Sequence, residues 1–144
     1  DGMNVPAYPL AWPEGWKRTG GRIGAPFYKK RDHRREGISI SEAVGDVEAE
    51  LKRLGAGRDV VISTNVKPTL RGSYNSLTPD RDDPGAAVYF TLRDQGRCLA
   101  CDRFTRVPDN LVAIAKHIEA MRMSERCGGI LLSSWSSSFS ASCC

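Results

Sequence analysis

Histidine is almost missing from this chain: His33 and His117 are its two representatives in 144 residues. No Ser/His/Asp order for nucleophilic catalysis can be assembled from them. No apolar run approaches the ~20 residues that a membrane-spanning helix requires. No glycine loop cradles a phosphate either, because Gly20-Gly21-x-x-Gly24 follows no strand-like segment. Near the N-terminus Pro6, Pro9 and Pro13 interrupt any charged-then-apolar targeting pattern. These absences point to a cytoplasmic protein with no membrane segment, and no cofactor or metal is expected.

What is present is ordinary in amount and uneven in placement. The chain is 40% hydrophobic and 26% charged, within the range of globular domains, and its length suits one domain. The net charge of +4 conceals a segment of +6 between Lys17 and Glu36. There Lys17, Arg18, Arg22, Lys29, Lys30, Arg31, Arg34 and Arg35 face Asp32 and Glu36, so the remainder is about −2. The basic character belongs to an arm and not to the domain. The cysteine count of five is odd, and without a targeting segment reduced thiols are expected.

Three regions follow from composition and periodicity. Residues 1–37 read as an extended arm, rich in proline and aromatics (Tyr8, Trp12, Trp16) and then strongly basic. Proline excludes helix and central strand from the first part, and its aromatics suggest a strap lying across the domain. Residues 17–37 read as a mobile linker or arm. Residues 38–126, about 90 residues, carry the core of a small domain that can be stable alone, though marginally so. Residues 127–144 are a serine-rich tail without helical or strand period, and disorder is expected.

Within the central region, Ser39 and Glu42 have capping-box spacing, and Val44, Val47, Leu51 and Leu54 recur on one helical face. Gly55 and Gly57 end that helix. Residues 58–65 are β-branched and predict a strand, and the polar stretch to Gly85 is too long for a plain hairpin. Residues 86–93 predict a second strand with Val88, Phe90 and Leu92 on one face. Asp94-Gln95-Gly96 reads as the turn into a third, antiparallel strand over 97–104. A last helix is expected to begin near Pro108 or Asp109, with Thr105 or Asp109 as cap and Val107 as staple. Its stripe is Leu111, Ile114, Ala115, Ile118 and Met121. The fold class is therefore α+β: a three-stranded antiparallel sheet packed under two helices in the order α-β-β-β-α.

Two constellations suggest chemistry and each has a plainer explanation. Cys98-Leu99-Ala100-Cys101 has the spacing of half a zinc knuckle, but in a strand residues three apart face opposite sides. Both cysteines then read as small buried hydrophobes. Asp80, Asp82, Asp83, Asp102 and Asp109 could converge as a carboxylate cluster for magnesium-dependent phosphodiester cleavage, since Asp83 precedes one central strand and Asp102 ends its neighbour. Aspartates beside Pro84 and Gly85 are usually turn residues, and Asp109 has a capping explanation.

The basic arm is the strongest functional signal. Phe27, Tyr28, Lys29, Lys30, Arg31, Arg34 and Arg35 combine cations that neutralise phosphates with aromatics that stack on bases. DNA or RNA is the partner this implies. Charged arms also serve merely as solvated surface.

Three segments carry a family resemblance: YPLAWPEGWKRT at 8–19, DVVISTNVKPTLRG with DDPGAAVYFTL at 59–72 and 82–92, and LACDRFTRVPDNLVAIAKHIEAMR at 99–122. Over residues 8–126 the chain resembles an uncharacterised family of bacteriophage and prophage proteins. Some members carry the description J-domain-containing, because a short co-chaperone-like region follows the shared part. This chain departs at Gly128 and contains no His-Pro-Asp, so the chaperone-stimulating chemistry of that label does not transfer. The resemblance implies a mobile-element context and no catalytic residues. The expected function is thus that of a non-enzymatic phage or prophage accessory protein that binds nucleic acid through its basic arm. The alternatives are a protein-interaction module with a host or phage protein as partner, such as a chaperone-linked adaptor or an inhibitor of a host factor, and a magnesium-dependent nuclease.

Overall fold

A computed structural model of the chain describes residues 5–24, 27, 29–31, 34–67 and 83–126. Its elements in order are β1 (Lys29–Arg31), β2 (Arg34–Glu36), α1 (Ile40–Leu54), β3 (Val61–Thr64), β4 (Ala86–Leu92), β5 (Gln95–Cys101) and α2 (Val107–Arg126). The last five are the predicted helix, three strands and helix. β3, β4 and β5 form one antiparallel sheet in that spatial order, and β1 pairs with β2 in a separate ribbon. The serine-rich tail and most of the 66–85 segment lie outside the described residues.

α1 starts and stops where its sequence dictates. Ser39 caps it, its hydroxyl accepting the Glu42 N–H at 3.2 Å, and Gly55 ends it in the left-handed conformation at φ 88°. Val47 and Leu51 are fully buried, Val44 and Leu54 half-buried, and Glu48 and Lys52 lie on the outside. α2 starts at Val107, one residue ahead of Pro108, so Asp109 sits in its first turn and is not a cap. Leu111, Ile114 and Ile118 are wholly buried, with Ala115 and Met121 beside them. The two helices pack on each other, and α2 also covers β4 and β5.

Strand alternation decides which face the helices cover. Ile62 pairs with Val88, and Val88 with Leu99, so these side chains share one face with Phe90 and Leu92. All are buried. Burying each such side chain fully is worth about 1.5–3 kcal/mol relative to leaving it in water. The β4–β5 turn falls one residue earlier than Asp94-Gln95-Gly96 suggested. Arg93 and Asp94 are its two central residues, at φ 51° and 64°, and Leu92 already pairs with Gln95. Two positive φ values are the requirement of the tight hairpin turn whose twist matches the strands, and Asp tolerates that geometry.

The other sheet face holds Ser63, Ala87, Tyr89, Cys98 and Ala100. It is small-sided and, apart from half-buried Tyr89, also buried, because the N-terminal arm lies across it. Ser63 Oγ donates to Pro6 O and accepts the Ala11 N–H, each at 2.8 Å. Tyr89 donates its hydroxyl to Ala11 O at 2.6 Å, and Thr64 N–H donates to Ala7 O at 3.0 Å. The aromatic, proline-rich arm is therefore the sheet's second cover, which is the strap its composition suggested.

Candidate nucleic-acid interface and the arginine clamp beside it

The arm continues along the sheet and reaches the carboxyl end of β5. There Asp102, with no exposed surface, is the centre of a polar clamp. Thr19 donates its hydroxyl to Asp102 Oδ1 at 2.6 Å, and its N–H at 3.0 Å to Oδ2. Arg18 donates Nε to Oδ2 at 2.7 Å. Arg22 donates Nε to the Asp102 carbonyl at 3.0 Å, with Nη2 3.5 Å from Oδ2. The second carboxylate is Asp83, just ahead of β4. It accepts from both terminal nitrogens of Arg18, and Arg22 Nη2 lies 3.8 Å from its Oδ1.

Burial alone would raise the Asp102 pKa. The hydrogen bonds from Thr19 and the Arg18 guanidinium outweigh it and hold the carboxyl below its ordinary value. Burial likewise works to lower the Arg18 pKa, and the bonds and charges of Asp83 and Asp102 reverse that and raise it. Arg18 also lies over the Trp12 ring, 4.3 Å from its centroid, while the Trp12 indole N–H donates to Trp16 O at 3.0 Å. Residues 17–24 are thus not the mobile linker that their glycines and charges suggested. Two of the segment's arginines are internal counterions.

This arrangement also settles where the aspartates go. Asp83 and Asp102 do converge, at the ends of adjacent strands, but around a guanidinium. Asp109, 4% exposed, lies on α2 with Arg106 Nη1 4.0 Å from its Oδ2. Asp80 and Asp82 fall outside the described residues. Among the described residues no group of three His, Cys, Asp or Glu side chains is placed to hold a metal ion. Two carboxylates that share one arginine have the donor set of a structural ion pair, with their oxygens already occupied.

The two cysteines of the C-x-x-C face opposite sides of β5, as alternation requires: Cys101 opposes Ala86 on the helix-covered face and Cys98 opposes Tyr89 on the arm-covered face. Both are buried. Cys98 keeps its thiol. Cys101 is disulfide-bonded, against the expectation of reduced thiols. Burial, with Cys98 alongside, pushes the Tyr89 hydroxyl well above its usual pKa.

The basic residues that composition singled out divide differently. Phe27 is half-buried, its ring meeting Phe104 edge-on at 5.5 Å between centroids, and Lys116 Nζ lies 5.5 Å from the same ring. Just before it, Ile23 makes a parallel bridge to Phe104, giving its N–H to Arg103 O and accepting from Thr105 N–H. Tyr28 lies outside the described residues. Lys29, Lys30 and Arg31 form β1, and Arg34, Arg35 and Glu36 form β2. The register sets Lys29 opposite Glu36, Lys30 opposite Arg35 and Arg31 opposite Arg34. After the ribbon the chain passes Arg106, which donates Nη2 to Ile38 O at 3.3 Å. Both roots of the ribbon therefore rest on the lead-in and first half of α2.

Several residues of structural consequence gave no sequence signal. Asn110, fully buried, accepts the Phe104 N–H at 2.9 Å and donates to Pro84 O at 2.7 Å and Phe104 O at 3.1 Å. Glu50 is buried between the helices, joined to Arg53 and, at 3.3 Å, to Arg122 Nε. No helix among the described residues is long and apolar enough to cross a membrane. Comparison with protein-family models, with curated proteins and with solved structures finds no match to this chain.

Proposed function

We propose that the protein is a non-enzymatic accessory protein, of the phage or prophage type its sequence resembles, that binds nucleic acid through the β1–β2 ribbon. The reading rests on one observation. Two successive cross-strand positions, Lys30 with Arg35 and Arg31 with Arg34, hold like charges directly opposite each other. Such pairs destabilise a ribbon by about 0.2–1 kcal/mol each relative to neutral ones. A polyanion removes that penalty and gains from releasing its own counterions. The clamp sharpens the contrast: the carboxylates of Asp83 and Asp102 neutralise Arg18 and Arg22, whereas the sequences of the two strands hold five Lys and Arg to one Glu.

Phe27, in this reading, is the anchor that seats the ribbon on Phe104, and Lys29, Lys30, Arg31, Arg34 and Arg35 contact phosphate. A two-stranded ribbon is a shape that the major groove of duplex DNA admits. Nuclease action is not favoured, because Arg18 and Thr19 occupy the oxygens of Asp83 and Asp102 that a metal would need.

Fluorescence titration with duplex DNA, duplex RNA and single strands, over a range of salt, tests the proposal. Affinity should fall steeply with salt, and the quadruple variant Lys30→Ser, Arg31→Ser, Arg34→Ser, Arg35→Ser should abolish binding without unfolding the domain. Unchanged affinity of that variant, or no binding to any of the three probes at low salt, overturns it.

A further inference from the structure

A second surface, independent of the ribbon, lies on the opposite edge of the sheet from β5. Thr64 turns its N–H away from β4 and donates it to Ala7 O of the arm. Main-chain groups alternate between the two edges of an antiparallel strand, so Ile62, two residues earlier, points its N–H and C=O to the same side. Neither group meets a partner among the described residues. An unpaired edge of this kind is a template for another strand.

Beside that edge stands α1, and between them runs a trough. One hollow of about 330 Å³ is lined by Val44 and Glu48 of α1, by Val60, Val61 and Ile62, and by Val5 and Ala7 of the arm. A second, of about 440 Å³, continues past Lys52 to Gly57 and shares Glu48 and Val60 with the first. The floor is aliphatic, and the rim carries one residue of each charge.

We propose that this α1–β3 trough binds an extended peptide of a partner protein. The peptide adds as a fourth strand at Ile62, with an aliphatic side chain in the hollow between Val44 and Ile62. The arm shows in the same molecule that this edge takes a main-chain carbonyl. At the edge itself Ala7 O sits on Thr64 N–H, while the side chains of Ser63 and Asn65 hold Pro6 O and, at 2.9 Å, Leu10 N–H beside it. The peptide site is continuous with that contact. A slender peptide fits better than a second copy of the chain, because the arm already fills the edge from Thr64 onward. Symmetric pairing of two β3 strands would bring each copy's arm against the other's residues ahead of Val60. Main-chain bonds then supply affinity and the trough supplies side-chain selection.

The full chain, panned against a random peptide display library, provides the test. Enriched peptides should carry an aliphatic residue flanked by alternating positions. Their synthetic versions should lose about tenfold or more in affinity when the amide that pairs with Ile62 is N-methylated. Val44→Glu, checked for folding by circular dichroism, should weaken them equally, while the quadruple ribbon variant should bind them normally. No enrichment over an unrelated protein, or enriched peptides indifferent to both N-methylation and Val44→Glu, overturns the proposal. Concentration-dependent dimerisation of the protein that Val44→Glu abolishes also overturns it, since a second copy then occupies the edge.

Discussion

The hydroxyl of Thr19 lies 2.6 Å from Oδ1 of Asp102, a carboxylate with no exposed surface that follows the last residue of β5. The backbone N–H of the same threonine and the guanidinium of Arg18 complete the shell of that carboxylate. One aspartate thus fastens the arm to the sheet and fixes where the following basic segment leaves the body.

Asp102→Asn should loosen the arm. Removing one partner of a buried ion pair costs about 3–5 kcal/mol, but Arg18 is 37% exposed and water will relieve part of its loss. A destabilisation of about 1–3 kcal/mol is expected, read from the urea midpoint. Proteolysis between residues 17 and 24 should accelerate in parallel.

The same carboxylate makes stability depend on acid. Its folded pKa is held below the unfolded value, first against burial and then by Thr19 and Arg18. The contribution is therefore complete above the unfolded value of about 3.9 and lost as pH falls through the folded pKa. His117 acts in the neighbouring window. Burial lowers its pKa, so the unfolded chain takes up the proton first and stability declines as pH falls below about 6.5. Urea midpoints measured from neutral to acid pH should fall in both windows. His117→Gln should flatten only the upper one and Asp102→Asn only the lower.

Arg35→Glu should separate stability from binding. It converts the like-charge pair with Lys30 into an opposite-charge pair, which favours the ribbon by about 0.2–1 kcal/mol. Nucleic-acid affinity should nevertheless fall, and the slope of log affinity against log salt should become shallower by about two contacts. A thermal melt and a salt titration on the same sample measure both signs.

Asn110→Ala should be among the most damaging single changes in the domain. It strands the Phe104 N–H and the carbonyls of Phe104 and Pro84 in the interior. Leaving buried groups unsatisfied costs about 1–3 kcal/mol each before relaxation. A loss of about 2–4 kcal/mol is expected. Asn110→Asp should be no better, because a carboxylate cannot donate to the two carbonyls.

Local periodicity carried much of the fold. The stripe Leu111, Ile114 and Ile118 has the helical repeat, and Val88, Phe90 and Leu92 have the strand repeat. The Ser39–Glu42 box and Gly55 act over three or four residues. Such signals are short in sequence and so can be read without knowing what packs where. The β4–β5 turn was displaced by one residue because Arg93 is not a residue type that advertises a positive φ.

Long-range pairing decided the rest. Nothing near Arg18 in sequence shows that its partners are Asp83 and Asp102, 65 and 84 residues away. Charge composition counted Arg18 and Arg22 with Lys29–Arg35, although the first two are internal counterions and the others form a ribbon. Composition records how much charge a segment carries, while only three-dimensional proximity determines which charges are neutralised. By itself the sequence determined two amphipathic helices, three strands and a basic stretch, since each depends on contacts between near neighbours. The tertiary structure alone decided that the arm covers the second sheet face, that two aspartates grip an arginine, and that Ile62 of β3 meets no main-chain partner on its outer edge among the described residues. Those features arise where segments far apart in the chain meet, and no local pattern encodes such meetings.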